Sequence, residues 1–513
     1  MFESFSIFPF PFWVVIGLLI GGGFWAWKRV RDASGLPMLA LLGTVAFWYV
    51  GDAYYNDYAN YHAKIFDDGV LRSAWWQVAW FLVVYLFAAP LVHKWMNARY
   101  FSRGSGVVQM FKYGVGQPVF QKQLQQLFGI CVLIWLAIII LAVLRVKGQI
   151  VYFFFPFWGY KAEPWGRGTL GTGYDSLITV VFYFQMLVTE VFGVVAALST
   201  NRRIRSLAFL CCLLSFPYFI FDRTRNSILA VVVPGILSWV FLRLRGSLVK
   251  KATVLAILFM VVNAWMGFVI ANRDTTSITA ALKEKGFGFS NSGKVHHEGL
   301  NMYEELCWIN TFMEQGTYKP NWGARYFADL VNPIPRVLWP GKPMIGFDYA
   351  VLRGQELGDE AGVISATIST GLIGQGVVNF GRFLGPAAAA LIMSFWAAMV
   401  ARMDLRLQEF GRLPLYLIGL FVTYNVGRDF CFLALYPFVF GALAVWFLDR
   451  YHAQPGSPPR RIGPLRPQPG FGQRSGAGAE LSKASRKTIR RIGLRQPARS
   501  LVRRHKPIHP PVR

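Results

Sequence analysis

"LFGICVLIWLAIIILAVL", residues 127–144, decides the fold class of this chain. The stretch contains no charged residue and no proline. As a helix rising about 1.5 Å per residue it would be roughly 27 Å long, close to the thickness of a bilayer's hydrocarbon core. A helix also satisfies all its backbone hydrogen bonds internally, which hydrocarbon requires. We therefore predict a transmembrane helix here.

The same apolar pattern recurs along the whole chain. Of 513 residues, 54% are hydrophobic and only 15% are charged. The short alternating segments of a membrane β-barrel are not found in the sequence. We predict an all-α polytopic integral membrane protein with about eleven transmembrane helices. They lie near 8–27, 36–50, 74–92, 127–144, 176–198, 207–221, 227–242, 253–271, 383–400, 415–426 and 430–448.

Lysine and arginine are distributed unevenly between the two sides that these helices define. The basic connections fall on one side, within 28–31, 94–122, 202–205, 243–251 and 402–412. On the other side, the large loop 272–382 between the eighth and ninth helices holds eleven acidic and ten basic residues. Because basic connections stay in the cytoplasm, we predict an external N-terminus and a cytoplasmic C-terminus. The first run lacks the leader of a signal peptide, so we expect it to be retained as a span.

The C-terminal tail, 450–513, differs in composition from the membrane domain, 1–449. It holds sixteen Lys and Arg but a single acidic residue, Glu480, and it is rich in Pro, Gly and Ser. Such a segment cannot bury enough apolar surface to fold alone. Beside the inner leaflet it should attract anionic lipids. We expect no nucleic-acid partner, because no aromatic residues are interleaved with the basic ones.

The segment "NPIPRVLWPGKP", residues 332–343, is the most unusual part of the external loop. Its four prolines exclude a regular helix and predict a rigid, extended turn that presents Arg336 and Lys342. Fixed cations suit an anionic ligand, since an arginine fork binds phosphate bidentately and a lysine adds a point charge. The alternative is a proline-stiffened loop whose arginine caps carbonyl groups, and the sequence does not decide between the two.

Further arginines lie at the external ends of the predicted helices. Arg223 and Arg225 fall in one short turn, Arg273 follows the eighth helix, and Arg428 lies between the last two helices. Any one of them can be an ordinary interfacial arginine. Their presence in very short external turns runs against the usual charge distribution, which favours a functional role for the set.

Other sequence features point away from known catalytic classes. His296 and His297 are adjacent and so cannot face one metal from a helix, and no other metal-ligand spacing occurs, so we predict no metal site. No Walker loop, dinucleotide fingerprint or nucleophile elbow is present, and we predict no cofactor. The stretch "EGLNMYEELCWINTFMEQG", 298–316, predicts an amphipathic helix that rests on the bundle or the lipid interface.

Four segments together resemble the bacterial O-antigen polymerases, the oligosaccharide repeat-unit polymerase family. They are "RTRNSILA" at 223–230, "NPIPRVLWPGKP" at 332–343, "TGLIGQGVVNFGRFLGP" at 370–386 and "GRDF" at 427–430. The likeness extends over roughly 200–445. One departure is that Gln375 stands where the family has an acidic residue ahead of its Asn-Phe-Gly segment.

The resemblance implies a C-type glycosyltransferase fold in the bacterial inner membrane. It implies transfer of a growing glycan from undecaprenyl pyrophosphate to a sugar hydroxyl of an incoming lipid-linked oligosaccharide, alongside a flippase and a chain-length regulator. The implied catalytic residues, which would neutralise the leaving diphosphate, are Arg336, Arg225 and Arg273. The implied substrate-binding residues are Arg223, Arg428, Lys342 and Asn379. The carboxylates that could act as base are Asp274, Glu304, Glu305 and Asp348.

Two questions stay open at this stage. The alternative role for Asn379, together with Gly376 and Gly381, is to turn the chain tightly into the ninth helix. A ligase that moves a finished glycan would share the fold and the arginines, whereas a flippase or exporter would need a polar cavity along many helices, and a scaffold would need no chemistry.

Overall fold

A computed structural model describes residues 8–146, 150–154, 164–165, 175–220, 225–271, 301–343, 346–354, 368–428 and 432–452. Within these ranges all regular secondary structure is helical. The chain divides into two units, Met1–Pro458 and Pro459–Arg513. Every described residue lies in the first, so the predicted basic tail falls outside the described residues beyond His452.

Eight long helices come first, because the apolar runs of the sequence are long enough to close their own hydrogen bonds. They are α1 (Phe10–Lys28), α2 (Gly35–Tyr55), α3 (Asp68–Asn97), α4 (Pro118–Val146), α5 (Asp175–Leu198), α6 (Arg202–Ile220), α7 (Arg225–Ser238) and α8 (Leu248–Ala271). Three short helices follow, α9 (Met302–Glu314), α10 (Ala324–Val331) and α11 (Phe347–Leu352). The chain then forms α12 (Leu372–Leu405), α13 (Arg412–Val426) and α14 (Phe432–His452).

Seven of these helices are long and apolar enough to cross a membrane, namely α1 to α6 and α12. The prediction of a helical membrane protein is therefore confirmed in outline. The other four predicted runs, 227–242, 253–271, 415–426 and 430–448, correspond to α7, α8, α13 and α14. Of these, α7 continues into a π-helical turn, Trp239–Arg243, and the two together form a shorter apolar helix, Ser227–Arg243.

The centre of the bundle is the long contact between α3 and α12. Ala389 and Ala390 of α12 are fully buried, and such small side chains let helix backbones approach closely. Asn97 ends α3 and donates from Nδ2 to the carbonyl of Ala398 at 2.9 Å.

The basic connections lie on one face, as their charge predicts. Contacts join them in a chain: Arg31 with Ser105, Arg103 with Glu409, Gln121 with Leu198, and Arg243 with Ser199. These contacts link four of the predicted basic connections with the residues that directly precede the fifth, 202–205. The beginning of α3 lies at the opposite end of the bundle, where the three short helices pack.

Helix α12 differs from its prediction at the N-terminal end. It was expected to begin near residue 383 but starts at Leu372, so the long loop ends about ten residues earlier than 382. Gly381, with φ 80° and ψ 177°, interrupts the helix. The two parts meet closely on either side of it, since a Cβ on Gly376 would lie 2.3 Å from the carbonyl oxygen of Gly385. The sharp turn predicted for Gly376 and Gly381 is therefore present.

Helices α9 to α11 and their connections, 301–343 and 346–354, form a cap on the end of the bundle where α3 begins. Gln77 and Asn310 exchange two hydrogen bonds of 2.8 and 3.0 Å between α3 and α9. Tyr303 donates from its hydroxyl to the carbonyl of Leu71 at 3.0 Å. The predicted amphipathic helix is confirmed as α9, and its apolar side packs on the bundle.

Candidate functional site

The segment 332–343 folds into consecutive tight turns directly after α10. Hydrogen bonds close three of them, from the amides of Ile334, Leu338 and Lys342 to the carbonyls of Val331, Pro335 and Trp339. The predicted absence of regular helix is confirmed. The predicted extended shape is wrong, because the prolines are accommodated within turns that fold the segment back on itself.

Lys342 is enclosed by this turn segment and holds it together. Its ammonium group donates to the carbonyls of Asn332 and Ile334 at 2.7 and 2.8 Å, and it lies 3.4 Å from the Asn332 side-chain oxygen. Burial, with a smaller contribution from the positive charge of Arg336, lowers the pKa of Lys342. All three ammonium protons face acceptors within the turn, so in this arrangement Lys342 is a structural cation.

Arg336 is half-buried and keeps part of its guanidinium available. Its Nη1 donates to the carbonyls of Pro340 and Lys342 at 3.2 and 2.9 Å. Nε and Nη2 have no partner among the described residues. The carbonyl-capping role considered from the sequence is therefore present, and one edge of the guanidinium remains for an anion.

The other predicted arginines are not brought together with Arg336 by any described contact. Arg223 and Arg273 lie outside the described residues, and only the backbone of Arg225, at the start of α7, is described. Arg428 follows α13, and its carbonyl accepts a hydrogen bond from Gly371 at 2.9 Å. This contact places Arg428 beside the beginning of α12.

Asn379 is fully buried and connects α12 to α10. Its Nδ2 donates to the carbonyl of Gln375 at 2.8 Å, and its Oδ1 accepts from the amide of Tyr326 at 3.3 Å. Gln375 in turn donates to Asp329 Oδ2 at 2.6 Å. Asn379 thus stabilises the turn, and Asp329 supplies a carboxylate beside Gln375, the position that departs from the polymerase pattern.

Arg325, on α10, is a candidate that the sequence reasoning missed. Only 4% of its surface is exposed, yet Nε and Nη1 have no hydrogen-bond partner among the described residues. It forms no ion pair with a described residue. Gly346, in the left-handed region at φ 63°, packs against it, and a Cβ there would lie 3.1 Å from Nη2. An enclosed guanidinium with unused donors is suited to receive an anion. The sequence alone offers no signal for this, because the absence of a partner is a property of the fold.

Tyr318 and Asp348 lie beside Arg325. The Tyr318 hydroxyl donates to Asp348 Oδ2 at 2.6 Å, and Asp348 is exposed whereas Tyr318 is buried. Burial raises the pKa of Tyr318, the hydrogen bond and charge of Asp348 raise it further, and the charge of Arg325 opposes the rise. Tyr318 therefore keeps its proton and acts as a donor to the carboxylate.

A second polar cluster lies where the cap meets the bundle and is held by structural contacts. Glu305 accepts hydrogen bonds from Arg353 at 3.0 and 3.1 Å and from the Tyr349 hydroxyl. Burial raises the pKa of Glu305, and the hydrogen bond and charge of Arg353 oppose the rise. Asp52 of α2 accepts from the amides of Tyr303 and Glu304 at 2.7 and 3.0 Å. It caps the N-terminus of α9 from a distant part of the chain.

These contacts separate the four predicted base candidates. Glu305 is 1% exposed and Glu304 is 4% exposed, and both contact Arg353. Asp348 is the candidate that combines exposure with a fixed orientation. Asp274 lies outside the described residues.

No group of three or more His, Cys, Asp or Glu side chains in the described ranges could hold a metal ion. An apolar groove of about 410 Å³ runs between α3 and α12, starting at Trp80 and reaching Leu91 and Leu391. Trp80 donates to the carbonyl of Phe383 at 3.1 Å, just beyond the Gly381 turn. The groove therefore begins next to the end of the bundle that carries the cap.

Comparison of the chain with known protein families, with curated proteins and with solved structures gives no match.

Proposed function

We propose that this protein is a glycosyltransferase of C-type fold that polymerises undecaprenyl-pyrophosphate-linked repeat units into a surface or secreted polysaccharide. In this proposal it has about eleven crossings in the bacterial inner membrane, with the N-terminus and the cap outside and the C-terminus in the cytoplasm. The observation that carries the proposal is the enclosed guanidinium of Arg325, whose Nε and Nη1 have no hydrogen-bond partner in the part of the chain that the structure describes.

Buried guanidinium donors that make no hydrogen bond are costly to retain unless a ligand completes them. A diphosphate supplies several anionic oxygens in a geometry that an arginine fork binds bidentately. When the anomeric carbon is transferred, negative charge develops on the departing diphosphate, and fixed cations stabilise that charge. Arg325 and the free edge of Arg336 supply two such cations on the same cap.

The remaining predicted residues keep their proposed places with two changes, at Lys342 and Asn379. Arg225 and Arg273 belong to the catalytic set with Arg336, and Arg223 and Arg428 bind the diphosphates. Lys342 supports this function through the turn that it holds together. Asn379 contributes in the same indirect way, since its amide is used between α10 and α12.

The apolar groove between α3 and α12 is an observation in favour of a lipid-linked substrate. Trp80 and Leu91 are separated by about three turns of α3, so the groove extends roughly 16 Å along the helix. A polyprenyl chain placed there would keep its diphosphate near the cap. The basic tail would bind anionic lipids on the cytoplasmic side, and a flippase and a chain-length regulator would act on the same pathway.

The first test is the length distribution of the cell's polysaccharide after deletion of the gene. We expect collapse to single repeat units, restored by the wild-type protein and not by Arg325→Met or Arg336→Ala. Arg72→Ala is the matched control, because Arg72 is a surface arginine, 61% exposed, that pairs with Asp68. Restoration by Arg325→Met at wild-type expression would refute the role of Arg325.

The same experiment separates the alternative functions. A ligase would leave long lipid-linked chains that fail to reach the surface. A flippase would leave unpolymerised units on the cytoplasmic face. An unchanged glycan in the deletion strain would refute the assignment to polysaccharide synthesis, and full restoration by both arginine variants would favour a scaffold.

A further inference from the structure

Asp348 has an unusual combination of accessibility and fixed orientation. It occupies the first turn of α11, its side chain is exposed, and Oδ2 accepts the Tyr318 hydroxyl at 2.6 Å. Tyr318 is itself 7% exposed, and its ring packs edge-on against Tyr349 at a centroid distance of 6.3 Å. One carboxylate oxygen is therefore held by a buried donor, and the other is open to an incoming group.

The other carboxylates of the described cap are already committed. Glu304 and Glu305 are enclosed around Arg353, and Asp329 is 3% exposed and bound by Gln375. Glu314 is exposed but pairs with Arg382 at 2.9 Å. Asp348 differs from all four in being exposed and bound by a neutral donor.

Asp348 also lies close to the proposed diphosphate site. Gly346, two residues earlier, packs against the Arg325 guanidinium, and its left-handed backbone lets α11 begin there without a side chain in the way. The open carboxylate and the unpaired cation thus border the same part of the cap. A glycosyl transfer needs both groups within reach of the same anomeric carbon, one for the acceptor hydroxyl and one for the leaving diphosphate.

We infer that Asp348 is the catalytic base that accepts the proton of the acceptor sugar hydroxyl, and that Tyr318 is a positioning residue for it. This inference rests on the proposed function. The acceptor oxygen forms a bond to the anomeric carbon of the donor glycan. The bond between that carbon and the diphosphate oxygen breaks, and its electron pair leaves with undecaprenyl pyrophosphate. The acceptor proton passes to Asp348, and the arginines balance the charge of the departing diphosphate.

The test uses full-length protein in proteoliposomes and the undecaprenyl-pyrophosphate-linked oligosaccharide extracted from the deletion strain. General base catalysis typically contributes about 10²- to 10⁴-fold. We expect Asp348→Asn to lower kcat by about that factor with little change in KM, and Asp348→Glu to restore part of it. Tyr318→Phe should lower kcat less and move the acidic limb of the pH–rate profile, which a purely structural role would leave in place. Glu314→Gln, which removes another exposed carboxylate of the cap, should match the wild type.

Folding and diphosphate binding are checked with undecaprenyl pyrophosphate alone. It should raise the melting temperature of wild type and Asp348→Asn equally, and fail to do so for Arg325→Met. Should Asp348→Asn not fold, Asp348→Glu and Tyr318→Phe carry the test through their pH profiles.

The outcomes distinguish the inference from the function on which it rests. Elongation by wild type together with a kcat of Asp348→Asn within threefold of wild type would overturn the role of Asp348 and leave the polymerase intact. Unchanged acidic limbs in all Asp348 and Tyr318 variants would do the same. Absence of any glycosyl transfer by the wild-type protein would overturn both.

Discussion

Replacing Lys342 by Met tests how the turn segment 332–343 is held together. The substitution keeps an unbranched side chain of similar length but removes the ammonium group. The two short bonds to the carbonyls of Asn332 and Ile334, 2.7 and 2.8 Å, are lost. Hydrogen bonds to a charged donor contribute about 1.5–3 kcal/mol each. Because Ile334 is exposed and its carbonyl can regain water, we expect a net local loss of about 2–4 kcal/mol.

The assay is limited trypsin digestion of the full-length protein in detergent, with cleavage after Arg336 followed by mass spectrometry. Protease reaches the peptide bond when the turn opens, so the cleavage rate follows the open population. A loss of about 2–4 kcal/mol corresponds to cleavage roughly 30- to 900-fold faster than in wild type. Global unfolding should change little, because the segment lies on the cap and not in the bundle.

Lys319→Met is the matched control, since Lys319 is an exposed lysine on the same cap. Its cleavage rate after Arg336 should equal that of wild type. The interpretation of Lys342 as the group that holds the turn would be refuted by a Lys342→Met rate within threefold of wild type. A lower melting temperature with no local cleavage would show instead that Lys342 supports the whole cap.

Three further changes test the fold. Gly376→Ala should lower the stability by about 2–4 kcal/mol in a melting assay, because the added Cβ would meet the backbone of Gly385. Gly129→Ala is the control, since a Cβ added there would have no atom within 4 Å, and it should be neutral or slightly stabilising in the same assay. Asp52→Ala should cost about 2–3 kcal/mol and expose the start of α9 to hydrogen exchange, since it removes the acceptor for two helix amides; equal protection would contradict that capping role. Glu305→Gln tests pH dependence, because burial raises the pKa of Glu305 above its ordinary 4.5. The stabilisation by the protonated carboxyl group is full below pH 4.5 and is lost as the pH rises through the folded-state pKa. The melting temperature of the wild type relative to the variant should therefore decrease across that pH window.

The long helices could be predicted from the sequence because a single physical requirement determines them. Apolar runs of about 18 residues or more can only lie in hydrocarbon as helices. The start of α12 was missed because its first part, "LIGQGVVNF" at 372–380, contains Gln375 and Asn379. Their amide groups bind Asp329 and the backbone of Tyr326. A hydropathy average over a short window cannot include such partners, because they lie some 50 residues away in the sequence.

The cap was less predictable than the bundle. Helices α10 and α11 have eight and six residues, too short to form without tertiary contacts. The sequence identified Arg336 and Lys342 as a pair of cations, and the structure distinguishes them. The ammonium group of Lys342 donates all its hydrogen bonds within the turn, whereas only Nη1 of the Arg336 guanidinium does so. That difference depends on how the turn folds back, which proline positions restrict but do not fix.

Arg325 gives the most direct argument that the cap serves a ligand. Evolution tolerates buried charge when it is paired, because the partner offsets the loss of hydration. Only 4% of the surface of Arg325 is exposed, and two of its donor nitrogens have no hydrogen-bond partner among the described residues. Each buried donor without a hydrogen bond destabilises the fold by about 1–3 kcal/mol, and replacement by Met would remove that cost. Arg325→Met should therefore be at least as stable as wild type, but undecaprenyl pyrophosphate should no longer raise its melting temperature. A residue whose replacement preserves the fold and abolishes binding is retained for its ligand. Melting curves of wild type and variant, with and without undecaprenyl pyrophosphate, distinguish this role from a structural one. If Arg325→Met is both less stable and still responsive, the guanidinium belongs to the fold.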